Sequence, residues 1–298
     1  MSVRTAGKRG RLPVKAPADR YPIKYLHEYL SEPLPPAVYP VDVTGGIAPD
    51  AWGMLGNGPD PTCTTHPRGV GDCPWCGRQH YRMAKAAAHG EPMPTETSNE
   101  LVAEYLAYDH GQDEGGVLAN VLLAWYQDGK ILGFAPVDHT DRSACDAAMQ
   151  QFRGLYIGVD LTDDANDLFN EGEPWTVAGG QQPDPSEGHC VLRVKSSGPS
   201  PDAKSGNITW GAEQDSTWAW DQACTVEAWV AITSEDEIDP AALAALRADI
   251  NALDGTGGNG SAAPTPGQIH LSMLAELGSD LDKALTKVRG YLRTHGIL

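Results

Sequence analysis

Two side chains in this sequence have the types and settings that thiol chemistry requires. Cys73 lies in GDCPWCGRQH, residues 71–80, and His189 lies in EGHCVLRV, residues 187–194. A thiol becomes a good nucleophile when its thiolate is stabilised, and a helix N-terminus with a nearby imidazolium lowers the thiol pKa by about 1 to 5 units. The sequence therefore predicts a pair in which Cys73 is the nucleophile and His189 is the base.

The elements around this pair predict a mixed fold. Asp72 is a capping type, Pro74 suits a first helical turn, and the alanines of 84–88 favour helix, so Cys73 is expected at a helix N-terminus. Hydrophobic periodicity and residue type predict further helices over 98–108, 116–127, 143–153 and from Pro240, and strands over 155–161, 189–194, 207–211 and 223–233. Helices first and strands later indicate the α+β class.

A third segment, NITWGA at 207–212, completes a recognisable order of motifs. With it the chain resembles the papain-like cysteine peptidases, in which a cysteine on a helix N-terminus is followed by a Gly-His strand and an Asn-Ser-Trp-Gly segment. It is more similar still to papain-fold proteins encoded by actinobacterial phages, through YPVDVTGGI (39–47), WGMLGN (52–57), GDC (71–73) with Gly77 and His80, and TWGA (209–212). This resemblance spans residues 20–253 and implies a papain-like fold with an N-terminal helical half and a C-terminal antiparallel β half.

The resemblance also implies site residues. Cys73 corresponds to the nucleophile, His189 to the base, and Asn57 to a side-chain oxyanion donor that acts beside the backbone N–H of Cys73. The orienting asparagine of the family falls on Thr209 here, a shorter residue that accepts from an imidazole N–H but offers no amide. Asn207 is the alternative orienting residue, about 7 Å further along the same strand face.

The segment 58–70 is an insertion between Asn57 and Cys73, so the site is preserved only if this segment loops out. It also creates a competing hypothesis, because metal-ligand spacing occurs at both ends of a C-x2-H-x6-C-x2-C pattern. The four predicted zinc ligands are Cys63, His66, Cys73 and Cys76. A hydrolase needs no cofactor, whereas the alternative places zinc on the proposed nucleophile.

Charge separates one terminus from the rest of the chain. The sequence has 22 Lys and Arg against 40 Asp and Glu; its first 15 residues hold five basic and no acidic side chains, which leaves 17 against 40, or −23, in the remainder. Such a body repels nucleic acid, so only the basic arm could contact a phosphate backbone. We interpret the arm as a solvated tail without a specific ligand, and the acidic run 160–167 as solvated loop charge without EF-hand spacing.

Composition divides the chain into four segments. These are a basic arm and Pro-rich strap (1–45), a papain-like domain (46–254), a Gly/Ser/Pro linker (255–267) and an amphipathic C-terminal helix (268–298). The helix has heptad-like spacing and is expected to dock on its own domain, on a second copy or on another protein. No run approaches the roughly 20 apolar residues of a membrane span. Neither a membrane nor a signal peptide is predicted, and production in a host cytoplasm is expected, with the virion as a further location.

These features support three hypotheses of function. The first is a phage-encoded cysteine hydrolase of the peptidase type, acting on a peptide or protein substrate. The second is a virion structural protein (minor capsid, decoration or fibre attachment) that keeps the fold without activity and binds other virion proteins or itself through the C-terminal helix. The third is a zinc-stabilised binding domain. Thr209 and the insertion weaken a working triad, whereas Cys73, His189 and Asn57 support it.

Overall fold

The structure is a computed structural model that describes residues 4–13 and 23–255. All of these residues belong to one compact unit that spans Met1–Gly257. The predicted linker beyond residue 255 and the predicted C-terminal helix, with its proposed docking partners, lie outside the described residues.

Three helices form the first half of the domain. They are α1 (Cys73–His89), α2 (Ser98–Tyr108) and α3 (Leu118–Gln127). α2 has the predicted bounds, which a capping box between Thr97 and Glu100 fixes at its N-terminus. α3 begins later than the predicted residue 116, because Gly116 is extended and forms a parallel bridge with Arg11 of the N-terminal arm. Within residues 4–13 and 23–255 no helix is long and apolar enough to cross a membrane.

The second half is built on a seven-stranded antiparallel sheet. Its strands are β1 (Val41–Asp42), β2 (Gly133–Pro136), β3 (Leu155–Thr162), β4 (Pro183–Ser196), β5 (Lys204–Thr209), β6 (Ala212–Thr217) and β7 (Thr225–Ile232). They lie in the order β2-β7-β3-β4-β5-β6, with β1 paired to β4. The remaining helices are α4 (Arg142–Phe152), α5 (Ala165–Glu171), α6 (Trp218–Cys224) and α7 (Pro240–Gly255). This arrangement confirms the predicted α+β class and the helical and antiparallel halves.

Most predicted strands lie where the sequence placed them, and their ends differ for local reasons. The predicted strand 207–211 stops at Thr209 because Trp210 and Gly211, with φ of 44° and 80°, form a two-residue hairpin turn into β6. The predicted strand 223–233 begins at residue 225, because Thr217 accepts a hydrogen bond from the Trp220 amide and starts α6. The short elements β2, β6 and α5 were not predicted.

Helix α1 is the central element that positions the site. Every residue from Cys73 to Tyr81 is buried. Gly77 allows the helix to lie close against the sheet, since a Cβ there would come within 2.9 Å of Cys190 Sγ on β4 and of the Tyr156 ring on β3. On its other side α1 contributes Trp75 to a second, smaller hydrophobic cluster with α2 and α3. The N-terminus of α1 is therefore fixed between the two halves of the domain.

Candidate active site

Cys73 is the first residue of α1, as predicted, and its side chain is buried with 1% exposure. The Tyr156 hydroxyl donates to the Pro74 carbonyl at 2.7 Å and so ties the first turn of α1 to β3. The backbone N–H groups of Cys190 and Gly10 lie close enough to the Cys73 thiol to lower its pKa. Cys190 follows His189 directly on β4, so this strand brings the histidine's backbone to the N-terminus of α1.

His189 is also buried and is held by two neighbours. Its Nε2 lies 2.6 Å from Thr209 Oγ1, and its ring stacks on Trp210 with centroids 4.7 Å apart. Among the described residues, Nδ1 of His189 has no hydrogen-bond partner. In the tautomer in which Nε2 carries the proton and donates a hydrogen bond to Thr209 Oγ1, Nδ1 has the free lone pair that can accept a proton from a thiol.

Asn207 does not orient the histidine. Its side chain is buried and accepts from the Arg193 guanidinium at 3.3 Å while it donates to Ser216 Oγ at 2.9 Å. The alternative in which Asn207 replaces Thr209 is therefore wrong, because the Asn207 amide is used to join β4, β5 and β6.

The insertion 58–70 loops out and closes at its base. The Val70 amide donates to the Gly56 carbonyl at 2.9 Å, and Asn57 Nδ2 donates to the Val70 carbonyl at 3.2 Å. Gly69, with φ of 78°, passes so close to Gly58 that a Cβ would lie 2.5 Å from the Gly58 Cα. Asn57 is thereby returned to the N-terminus of α1, with its amide engaged by the base of the loop.

Burial holds both members of the pair in their neutral forms. It raises the pKa of Cys73 to about 12, an effect reinforced by the neighbouring Asp72 charge and opposed by the Cys190 and Gly10 amides and by the Arg11 guanidinium. It lowers the pKa of His189 to about 3, and the charges of Arg9 and Arg11 add to this lowering. In the described state the thiol is therefore not activated.

Asp72 precedes Cys73 and is fully buried. It occupies the N-cap position of α1, but its side chain makes no capping hydrogen bond, and neither carboxylate oxygen has a partner among the described residues. Burial raises its pKa to about 8, although the Cys76 thiol and the Asn57 amide act in the opposite direction. An ionised Asp72 next to Cys73 disfavours the thiolate.

The alternative zinc site is not assembled. Cys63 is buried in the smaller cluster, where its Sγ lies 3.8 Å from Thr65 Oγ1. Cys73 packs in the main core, and Cys76 Sγ lies 3.5 Å from the Leu55 carbonyl oxygen. No group of three His, Cys, Asp or Glu side chains within the described ranges has a metal-binding arrangement. The four predicted ligands, Cys63, His66, Cys73 and Cys76, therefore do not converge on one point, because the insertion buries Cys63 in the smaller cluster, away from the main core in which Cys73 packs.

His80 lies two turns after Cys73 and has a packing role, as expected. Its Nε2 is 3.1 Å from the Gly53 carbonyl, its ring meets Trp52 edge-on, and burial lowers its pKa to about 4. Gly53 in turn bridges Gly211 of the β5–β6 turn. His80 therefore supports the loop that carries Asn57.

The N-terminal arm crosses the site, so its interpretation as a solvated tail is wrong. The Lys8 amide donates to the Asn57 carbonyl at 2.6 Å, and the Lys8 carbonyl accepts from the Trp210 indole at 3.3 Å. Gly10 is pressed against Gly71, and any Cβ at residue 10 would overlap the Gly71 carbonyl. The arm covers the thiol and its neighbours because its backbone is hydrogen-bonded on both sides of them.

Charge complementarity holds the arm in place. Lys8 pairs with Asp113 at 3.1 Å, and Arg9 pairs with Glu187. Arg11 is buried and pairs with two carboxylates, Asp160 of β3 and Glu227 of β7. Asp160 was predicted to be solvated loop charge and is instead a buried strand residue. The pairing was not foreseen, because no sequence rule joins residue 11 to residues 160 and 227.

The comparisons with known proteins concern the fold. No family model and no curated protein matches this chain. Among solved structures, the chain is similar to xylellain, a cysteine protease from Xylella fastidiosa, with a TM-score of 0.50 and 12% identity over 79% of this chain and 99% of that one. At this identity the likeness shows the fold alone, and nothing in it connects the chain to phages. The protein has a papain-like cysteine protease fold.

Proposed function

We propose that this protein is a cysteine peptidase whose N-terminal arm keeps it latent. The observation that carries the proposal is the bond between His189 Nε2 and Thr209, which leaves Nδ1 free on the strand whose backbone meets the Cys73 thiol. Thr209 takes the place of an orienting amide by accepting a hydrogen bond from the Nε2–H group. A histidine buried only for packing would be expected to have both ring nitrogens bonded, as most buried polar atoms do.

The proposed reaction uses groups that the site contains. His189 Nδ1 takes the thiol proton, Cys73 Sγ attacks the carbonyl carbon of a peptide bond, and the C–N bond breaks as His189 returns the proton to the leaving amine. Water then attacks the thioester, with His189 again as the base. The Cys73 backbone N–H, at the start of α1, stabilises the oxyanion. Asn57 is the predicted second donor, a role for which its amide has to turn from the Val70 carbonyl.

Latency follows from the position of the arm. A substrate carbonyl needs the space beside Cys73 that Gly10 fills. Desolvation is the largest cause of both pKa shifts, so release of the arm admits water and brings the pKa of Cys73 down and that of His189 up. The arm therefore suppresses access and thiol activation together.

The test is alkylation of Cys73 by iodoacetamide in the full chain, with modified peptides identified by mass spectrometry. Gly10→Ala is the releasing variant, because its Cβ has no space against Gly71. We expect Gly10→Ala to label at least about tenfold faster than the wild type at about pH 6, and His189→Ala in the same background to abolish the gain. Hydrolysis of a fluorogenic peptide library should rise in parallel.

Leu12→Ala is the matched control on the arm, since the Leu12 side chain is 39% exposed and the residue is held by its backbone. It should label as slowly as the wild type. Labelling of Gly10→Ala that rises only near pH 8.5, as for an ordinary thiol, or that does not depend on His189, would rule out the peptidase.

The second candidate is a papain-fold protein without activity, and the neutral, covered pair favours it. Cys73 and His189 are both buried, and the raised pKa of Cys73 and the lowered pKa of His189 disfavour a thiolate–imidazolium ion pair. The hypothesis that such a protein is a structural component of a virion rests on the sequence resemblance and remains a prediction. This candidate expects no cleavage of any peptide by Gly10→Ala, even where Cys73 has become accessible.

A further inference from the structure

The side chain of Arg11 fills a built pocket beside the nucleophile. Its Nη1 lies 3.3 Å from Glu227 Oε1, its Nη2 bonds Asp160 Oδ1, and only 3% of the side chain is exposed. The backbone N–H of the preceding residue, Gly10, lies close to the Cys73 thiol. A peptide that passes Cys73 in the same way as the arm therefore places the side chain after the residue at the thiol in this pocket.

The strands explain the shape of the pocket. Gly158 pairs with Glu227 across β3 and β7, and Asp160 lies two residues further along the same face of β3. A Cβ on Gly158 would come within 2.7 Å of Arg11 Cδ. Trp229 donates its indole N–H to Glu227 Oε2 at 2.8 Å and so fixes the orientation of that carboxylate.

The bonds to the arm backbone are independent of its sequence. The Arg11 amide donates to the Gly188 carbonyl at 3.1 Å, the Gly116 amide donates to the Gly10 carbonyl at 2.7 Å, and the Leu12 amide donates to the Gly116 carbonyl at 3.0 Å. Any extended peptide can make such bonds. Selectivity in this part of the cleft therefore depends on the pocket.

Without the arm, the pocket holds two buried carboxylates and no cation. Within residues 4–13 and 23–255, Arg11 is the only basic residue that forms an ion pair with Asp160 or Glu227. Burial raises the pKa of Glu227 and the neighbouring Asp160 adds to this, while Arg11 opposes it. Water can solvate the two carboxylates when the arm leaves, but a ligand that covers them again without a cation buries uncompensated charge. A ligand that supplies a guanidinium restores the compensation, and its planar fork reaches both carboxylates where a lysine reaches one.

We infer that Asp160 and Glu227 form a specificity subsite for an arginine side chain of a peptide substrate, which Arg11 of the arm occupies in the latent protein. The inference rests on the proposed function, because a specificity subsite requires that the cleft bind substrate. It identifies the substrate class as peptides or proteins with arginine beside the reacting bond.

The first experiment measures binding without chemistry. The full chain carries Cys73→Ala, which removes the nucleophile, with Gly10→Ala and Arg11→Gln, which displace the arm. The probe is the blocked peptide RTAGKRGRLP, the sequence of residues 4–13. We expect citrulline, a neutral isostere, at the position of Arg11 to weaken binding by about 10- to 100-fold, as loss of a buried charge pair requires.

Citrulline at the position of Arg9 is the matched control. Glu187, the partner of Arg9, is 35% exposed, so that pair is screened and its loss should change binding only about two- to threefold. Adding Asp160→Asn and Glu227→Gln to the protein should remove the preference at the Arg11 position and leave the Arg9 effect unchanged. Circular dichroism checks that this variant remains folded.

Equal binding of the arginine and citrulline probes, or no binding of either, overturns the subsite. A second experiment retains Cys73 in the Gly10→Ala and Arg11→Gln protein and compares cleavage of arginine and citrulline peptides. Cleavage without a preference for arginine contradicts the subsite alone. Arginine-selective binding without cleavage contradicts the peptidase and leaves a binding cleft for arginine peptides.

Discussion

At the scale of single residues, Thr209 shows how a departure from a motif can keep the motif's geometry. A threonine hydroxyl is shorter than an asparagine amide, yet Oγ1 lies 2.6 Å from His189 Nε2, and the two residues belong to the paired strands β4 and β5. The motif positions of Cys73, His189 and Thr209 could be read from the sequence. The alignment of motifs favoured Thr209 over Asn207 as the orienting residue, although both lie on the same strand face, and the hydrogen bond to His189 agrees with that choice.

Asp72 provides a pH-dependent prediction at this scale. Its folded pKa of about 8 lies above the unfolded value of about 4, so the folded state binds the proton more tightly. Its contribution therefore favours folding most at low pH and is lost progressively as pH rises from about 4 to about 8. Over this range the unfolding free energy of the wild type should fall by several kcal/mol, with a slope of up to about 1.4 kcal/mol per pH unit. We expect Asp72→Asn not to show this fall.

Urea unfolding of both proteins at several pH values between about 5 and about 8.5 measures this difference. Asp50→Asn is the control, because the Asp50 side chain is exposed and its substitution changes no buried charge. If the unfolding free energies of the wild type and Asp72→Asn changed in parallel with pH, the prediction would be wrong, because the folded protein would then stabilise the ionised Asp72 as well as water does.

At the scale of elements, the sequence predicted the regular segments better than their connections. α2 and β3 follow strong periodicity and residue type, and they lie within one residue of their predicted bounds. The insertion 58–70 was predicted only by its misfit to a motif, and its closure depends on close backbone contacts at Gly69 and Gly58 that leave little trace in residue pattern. Helix α6 was missed because its cap, Thr217, lies inside a run typical of strands.

Gly69→Ala tests whether the loop base supports the site. Gly69 has positive φ, and a Cβ would lie 2.5 and 2.6 Å from the Cα and O atoms of Gly58. We expect a loss of about 2 to 5 kcal/mol in unfolding free energy, from the left-handed backbone and from overlap together. Urea unfolding measures the loss.

Gly90→Ala separates these two causes. Gly90 also has positive φ, at 67°, but a Cβ there meets nothing within 4 Å, so only the backbone cost of about 1 to 2 kcal/mol is expected. Equal losses in the two variants would mean that the loop moves aside without cost and does not hold Asn57 in place.

At the scale of the whole molecule, the charge asymmetry between arm and body is a device for covering the cleft. Five basic side chains in the first 15 residues and a net charge of −23 in the remainder could be counted from the sequence. The pairing of Arg9 and Arg11 with acidic side chains near Cys73 could not, because it depends on β3, β4 and β7 bringing Asp160, Glu187 and Glu227 close together. The net charges alone favoured a solvated arm, because they do not show that the carboxylates that bind the arm lie close together.

Salt should therefore open the cleft of the wild type. The pairs of Lys8 with Asp113 and Arg9 with Glu187 are partly exposed, and the screening length falls from about 10 Å at about 0.1 M salt to about 3 Å at about 1 M. We expect iodoacetamide labelling of Cys73 to increase several-fold over this range. The buried Arg11 pairs are screened much less, so labelling should stay below that of Gly10→Ala. Gly10→Ala, whose arm is already displaced, should show no comparable increase, whereas an equal salt response in both proteins would mean that charge does not hold the arm over the nucleophile.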